Sequence, residues 1–268
     1  MAIKQFHKKA DMEYWDNLWE GSSFHKSIFY ARKYKQFRLI KKYTDFKMPV
    51  LEGGCGLSKW VYVMHEDGYD ITGVDYAEKT VERVNDISPA LSVIKGDVYN
   101  LNFPNDYFGT YLSWGVVEHF EEGPDDILKE AYRVIAMNGR LMISVPFFNP
   151  ARKQAYSGLS RIGKGNHFYQ YMFEEEEFTQ KLNNSGFTVE AVYKLNWIIG
   201  YKDVKNLTHK IKVREHNDVN YDSKEQNFKI GLKNALKKYL TFIIIKISDI
   251  GFLSNKFGHM ILFVAKKR

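Results

Sequence analysis

The stretch Val50-Leu51-Glu52-Gly53-Gly54-Cys55-Gly56-Leu57-Ser58 constrains this chain more than any other: a short apolar run closes on an acidic residue and a glycine-rich turn. Met48-Pro49 introduces it, and Lys59-Trp60-Val61-Tyr62-Val63-Met64 follows with the pattern of a helix packing one apolar side. Strand, glycine turn and helix together let backbone approach a nucleotide-like ligand and point helix N–H groups into the gap. Nineteen residues past Gly56, Gly73-Val74-Asp75 ends a second apolar run in a carboxylate, where such folds hold ribose hydroxyls.

The details of the turn narrow the ligand. A dinucleotide-binding turn needs a small residue where Lys59 stands, and no Lys-Ser/Thr pair closes a phosphate loop. Glu52 before the glycines suits an ammonium group better than a pyrophosphate. The stretch resembles the first motif of class I S-adenosylmethionine-dependent methyltransferases, acidic-x-Gly-x-Gly-x-Gly, through Glu52, Gly54 and Gly56, with Ser58 in the third glycine's place. The resemblance implies S-adenosyl-L-methionine as cofactor and S-adenosyl-L-homocysteine as product. It assigns Glu52, Gly53, Gly54 and Gly56 to the methionine end, Asp75 to the ribose with Tyr76 beside it, and Asp97 and Val98 to the adenine.

The resemblance runs from Pro49 to Pro146. Residues 70–75 read as the second strand, Glu78 to Asn85 as a helix, and Leu91 to Val98 as a third strand. Tyr107 to Trp114 is the fourth strand, followed by Gly115-Val116-Val117-Glu118-His119, similar to the family's fourth motif. Gly109 stands where that motif usually has aspartate after Phe108. Trp114 and Gly115 are expected at the cofactor, Trp114 walling the methyl-transfer site. Pro124 to Ala136 reads as a helix with Asp125 and Asp126 in its first turn, terminated by Asn138-Gly139. Arg140 to Pro146 is the fifth strand, Gly186 to Val192 the sixth, and Met260 to Ala265 the last, which in this family runs antiparallel. The expected fold is therefore α/β and Rossmann-like: a seven-stranded, mostly parallel sheet with helices on both faces. The expected domains are an N-terminal helical cap over 1–45, a cofactor-binding core over 46–196 and 259–268, and a helical insertion over 197–258.

Outside the core the residues leave alternatives open. Helical spacing of Tyr14, Trp15, Leu18 and Trp19, then of Phe29 to Ile40 after a Gly21-Ser22-Ser23 break, fits either a packed layer at the sheet edge or a lid. In the lid reading Tyr14 or Trp15 faces the sulfonium through cation–π contact. Residues 147–172 read as a long loop facing substrate, with Asn149, Tyr169 and Tyr171 as substrate-binding candidates. Glu174 to Glu177 reads as a solvated first turn. The formal charge of +7 is concentrated at 200–258, where twelve Lys/Arg meet six Asp/Glu. There Ile230, Leu236, Leu240, Ile243 and Ile247 fit one helical stripe. That segment reads as a cover on the substrate side or as a peripheral membrane contact through 229–250. Nucleic acid is disfavoured, since no base-reading module is present.

A single cysteine, Cys55, permits no internal disulfide or cysteine cluster, and no metal-binding pattern occurs. Residues 1–11 lack an apolar signal region, and the stretch near 240–253 is too short to span a bilayer, so a cytoplasmic setting, peripheral to the inner membrane surface in the lipid-facing reading, is expected. The expected activity is methyl transfer to a small-molecule, sugar or lipid-linked acceptor. If the acceptor is a hydroxyl, a neutral histidine suits the general base, His119 first and His167 second; a packed or capping histidine is the alternative for His119. The rivals are a methyltransferase-like binding domain without catalysis and a nicotinamide-dependent reductase. The acceptor atom and oligomeric state are not legible.

Overall fold

A computed structural model describes residues 2–157, 159, 161–163, 165–205 and 251–268. The chain opens with strand β1 (Ile3–His7) and three helices, α1 (Met12–Glu20), α2 (Phe24–Ala31) and α3 (Lys35–Tyr43). The alternating core follows as β2 (Val50–Gly53), α4 (Lys59–Glu66), β3 (Ile71–Asp75), α5 (Glu78–Ile87), β4 (Ser92–Lys95) and β5 (Phe108–Trp114). It continues through α6 (Asp125–Val134), β6 (Ile135–Pro146), α7 (Pro150–Ala155), β7 (Arg161–Ile162), β8 (His167–Met172), α8 (Glu175–Asn184), β9 (Phe187–Leu195), a helix at Gly251–Phe257, and β10 (Met260–Lys267). The main sheet has seven strands in the order β4-β3-β2-β5-β6-β10-β9. β2 pairs in parallel with β3 and β5, while β10 runs antiparallel to β6 with Ile261 opposite Val145.

β2 is buried end to end and β3 nearly so, as parallel strands covered by helices must be. Leu51, Leu112, Met142, Ile143 and Phe263 are almost wholly excluded from water, each such side chain contributing about 1.5–3 kcal/mol. Gly109 has a local cause: a Cβ there would lie 2.3 Å from the Met48 Cβ, so the aspartate expected at this place has no room. α4 starts without a cap of its own. Ser58 before it sits in the left-handed region (φ 53°), and the Glu52 carboxylate accepts from the Val61 amide at 3.3 Å in its stead.

Three expectations change. Residues 147–172 are not one loop: they hold α7, β7 and β8, and β8 pairs antiparallel with β1 in a separate three-stranded sheet, order β7-β1-β8. The partner of each of these strands lies some 160 residues away, a pairing no local pattern announces. The helix expected to Ala136 ends at Val134, because β6 begins at Ile135. Asn138 takes a positive φ (66°) inside a ladder irregularity rather than capping a helix. The third strand is shorter than expected, Ser92–Lys95 at the open edge of the sheet.

The chain divides into two compact units. One comprises Met1–Phe148, Leu159–Tyr193 and Met260–Arg268; the other comprises Asn149–Gly158 and Lys194–His259. In the second unit Asn149 caps α7, accepting from the Arg152 amide at 2.8 Å and donating to the Gly258 carbonyl. Arg152, itself buried, reaches Asp203 at 2.8 Å and the His259 carbonyl at 3.1 Å. The stripe and membrane contact expected at 229–250 lie outside the described residues. Among the described residues no helix is long and apolar enough to cross a membrane.

Candidate functional site

The turn after β2 is fixed by backbone geometry. Gly54 has φ 71°, and a Cβ on it would lie 2.4 Å from the Val116 Cγ2; Gly56 has φ 50°, and a Cβ there would lie 2.8 Å from the Trp19 ring. The Gly54 and Cys55 amides donate to the Val74 carbonyl at 2.8 and 3.1 Å. Asp75, at the end of β3, binds the turn from the other side, accepting from the Gly56 amide at 2.7 Å and the Ala77 amide at 3.0 Å. The tips of β2, β3, β4 and β5 thus form one floor.

Above that floor lies a cavity of about 380 Å³. Gly54, Asp75, Tyr76, Asp97, Val98, Trp114, Gly115, His119 and Trp15, all expected at the site, line it together. α1 supplies the opposite side through Met12, Trp15 and Trp19, with Asp11 preceding it. Trp19 was legible only as a member of a helical stripe, although its spacing of four from Trp15 puts both on one helix face. Asp97 also accepts from the Tyr99 amide at 2.9 Å, so one carboxylate both closes a turn and faces the cavity. Among the described residues, the lining contains the carboxylates of Asp11, Asp75 and Asp97 and no lysine or arginine.

Other expected residues sit elsewhere. Glu52 is buried beneath the turn and does not line the cavity, its carboxylate on the Val61 amide. Gly53 and Gly56 form the turn without lining the cavity, and a Cβ on Gly53 would overlap the Tyr111 ring. Tyr14 and Tyr169 flank the site and share a hydroxyl contact at 3.3 Å, with ring centroids 5.9 Å apart. Tyr171 donates to the Glu121 carbonyl. Asn149 is spent on capping α7. His167 is exposed at the start of β8 opposite His7, away from the lining.

Burial sets the electrostatics. It pushes the Glu52 carboxyl up to about 8, with Lys59 and the Val61 amide opposing. It raises Asp75 as well, against the donors at Ala77 and Gly56. Glu118, in the 3-10 turn Val117–His119, also rises to about 8 through burial, and its Oε2 has no hydrogen-bond partner among the described residues. Burial pulls His119 down to about 4, partly offset by the Tyr169 carbonyl 2.7 Å from Nδ1. A carbonyl only accepts, so Nδ1 carries the proton and Nε2 is the ring's lone-pair acceptor. The ring packs edge-on between Trp15 (4.8 Å) and Tyr169 (5.0 Å).

Comparison with known proteins gives this geometry a context. Residues 51–143 match the family model described as a methyltransferase domain. A probable S-adenosylmethionine-dependent methyltransferase of Mycolicibacterium smegmatis is 26% identical over 144 residues, 53% of this chain and 52% of that protein. The chloroplastic 2-methyl-6-phytyl-1,4-hydroquinone methyltransferase of Spinacia oleracea is 29% identical over 98 residues, 36% of this chain and 28% of that protein. The chain thus spans about half, or less, of these curated relatives. Among solved structures, an S-adenosylmethionine-dependent methyltransferase from Mesorhizobium loti superposes with a TM-score of 0.53 at 15% identity, covering 87% of this chain and 97% of that one.

Proposed function

We propose that the chain, whose residues 51–143 match a methyltransferase domain, transfers a methyl group from S-adenosylmethionine to a small acceptor. The observation carrying this reading is the cavity itself: a floor with glycines at positive φ, a buried carboxylate on Asp75, and a neutral histidine on one wall. The residues present fit S-adenosylmethionine. The floor has no space for a Cβ at Gly54, and the carboxylates of Asp11, Asp75 and Asp97 on the lining favour a cationic ligand. Gly54 would hold the methionine end, Asp75 and Tyr76 the ribose, and Asp97 with Val98 the adenine.

When bound, S-adenosylmethionine supplies an electrophilic methyl carbon on a sulfonium that departs as a neutral thioether. The chain's own residues position the acceptor and exclude water, which governs an in-line displacement. His119 Nε2 accepts a hydrogen bond from the acceptor O–H or N–H and aims its lone pair at the methyl carbon. As the new bond forms, the acceptor proton becomes strongly acidic and passes to Nε2, then to solvent. A ring titrating near 4 is a weak base before transfer, so its part in the ground state is orientation. A phenolic, sugar or lipid-linked hydroxyl is within this reading.

Calorimetry with S-adenosylhomocysteine, followed by single-turnover transfer to a panel of neutral hydroxyl and amine acceptors, tests it. His119→Ala is expected to lower the transfer rate by about 100-fold while leaving cofactor affinity within about two-fold. Absence of cofactor binding by the wild type would overturn the reading.

A further inference from the structure

Resting on that reading, the geometry points to Asp16, Thr80 and Arg83, none of which lines the cavity, as positioning residues that hold α1 shut over the cofactor and so set how long the cofactor stays. α1 is a weak element by itself. It has nine residues, none fully buried, and helices this short are marginal without packing. Its attachment to α5 is polar and reciprocal. Asp16 of α1 accepts from both the Thr80 amide and the Thr80 hydroxyl at 3.0 Å. This caps the first turn of α5, whose own N-cap, Ala77, has no side-chain acceptor. In return, Arg83 of α5 donates to the Trp19 carbonyl at 2.7 Å, the Glu20 carbonyl at 3.3 Å and the Ser22 carbonyl at 3.1 Å. Those carbonyls close α1, which has no basic residue in its last turn. Each helix therefore has one end completed by the other's side chain.

The consequence reaches the cavity through Trp15 and Trp19. Trp15 stands one residue before Asp16, and the Trp19 carbonyl is an Arg83 acceptor; both rings line the cavity, Trp19 against Gly56. Releasing either contact frees the roof without touching a lining side chain. Thr80, only 3% exposed, is the pivot, since both its polar groups are bound to Asp16.

The test compares wild type, Arg83→Met, Arg83→Lys and Thr80→Val by stopped-flow dissociation of S-adenosylhomocysteine, with amide hydrogen exchange of residues 12–20 in the free protein. Arg83→Met is expected to raise the dissociation rate and the α1 exchange rate by about tenfold each, Thr80→Val by about threefold, and Arg83→Lys is expected to recover part of the loss. A merely structural role would lower Tm while leaving the dissociation rate of the folded protein unchanged. Wild-type binding with an unchanged dissociation rate in Arg83→Met overturns the latch alone. Failure of the wild type to bind at all overturns the proposed function and the residence role with it, while α1 exchange still decides whether Arg83 docks the helix.

Discussion

Floor and roof of the same cavity are built by opposite means. The floor, from Gly53 to Asp75, is backbone: two glycines at positive φ, amides on the Val74 carbonyl, and a buried carboxylate gripping the Gly56 and Ala77 amides. The roof, α1, buries no residue and is held by side chains at its edges, with aromatic rings filling the space between. A floor of this kind is preorganised and tolerates little change. A roof of this kind, with no residue fully buried, depends on side-chain contacts that a single substitution can remove.

The comparison is broken most sharply at Asp75. Asp75→Ala leaves the Gly56 and Ala77 amides unpaired, and it is expected to weaken S-adenosylhomocysteine binding by about 10- to 100-fold, measured by calorimetry. Wild-type affinity in this variant would confine the carboxylate to shaping the turn. Next comes Gly54→Ala, which meets both the Val116 side chain and an unfavourable φ; urea denaturation should show a loss of about 2–3 kcal/mol. Adding Val116→Ala is expected to restore the steric part and leave the backbone part.

The comparison reaches the wall behind Gly115 through pH, where burial raises Glu118 from 4.5 to about 8. The native state then keeps a proton that the unfolded chain releases, so stability falls as pH rises through this window, by at most about 1.4 kcal/mol per pH unit. Glu118→Gln abolishes that titration, and its Tm relative to wild type should climb steadily between about pH 5 and pH 8. A parallel pair of pH curves would show that the carboxyl is ionised in the native state. Burial depresses His119 instead, so its neutral form persists down to about 4. No acid limb near 6.5 is then expected from this ring in the pH profile of transfer.

Legibility followed the same division. Glu52-Gly53-Gly54-Cys55-Gly56, Asp75, Asp97 and the Trp114-to-His119 segment are local signals, because a turn at a strand end dictates its own residue types. Ser58 in the third glycine's place keeps the left-handed backbone (φ 53°) that glycine would favour, and Gly109 departs from the family pattern because Met48 occupies the space. The role given to Glu52 was less readable: its type suggested an ammonium partner, but burial turned it toward the first turn of α4. His167, equal in type to His119, is carried by β8 to the exposed end of the small sheet.

By itself the sequence determined the order of the core strands and helices from β2 to β6, the glycine turn, the carboxylates at the strand tips and the family they resemble, since periodicity and turn chemistry are properties of neighbouring residues. The tertiary structure alone decided that β1 pairs with β8, that Asp16 and Arg83 finish each other's helices, and that the Tyr169 carbonyl chooses the His119 tautomer. Those pairings join residues 50 to 169 positions apart, and their energy comes from meeting in three dimensions, which no short window of sequence records.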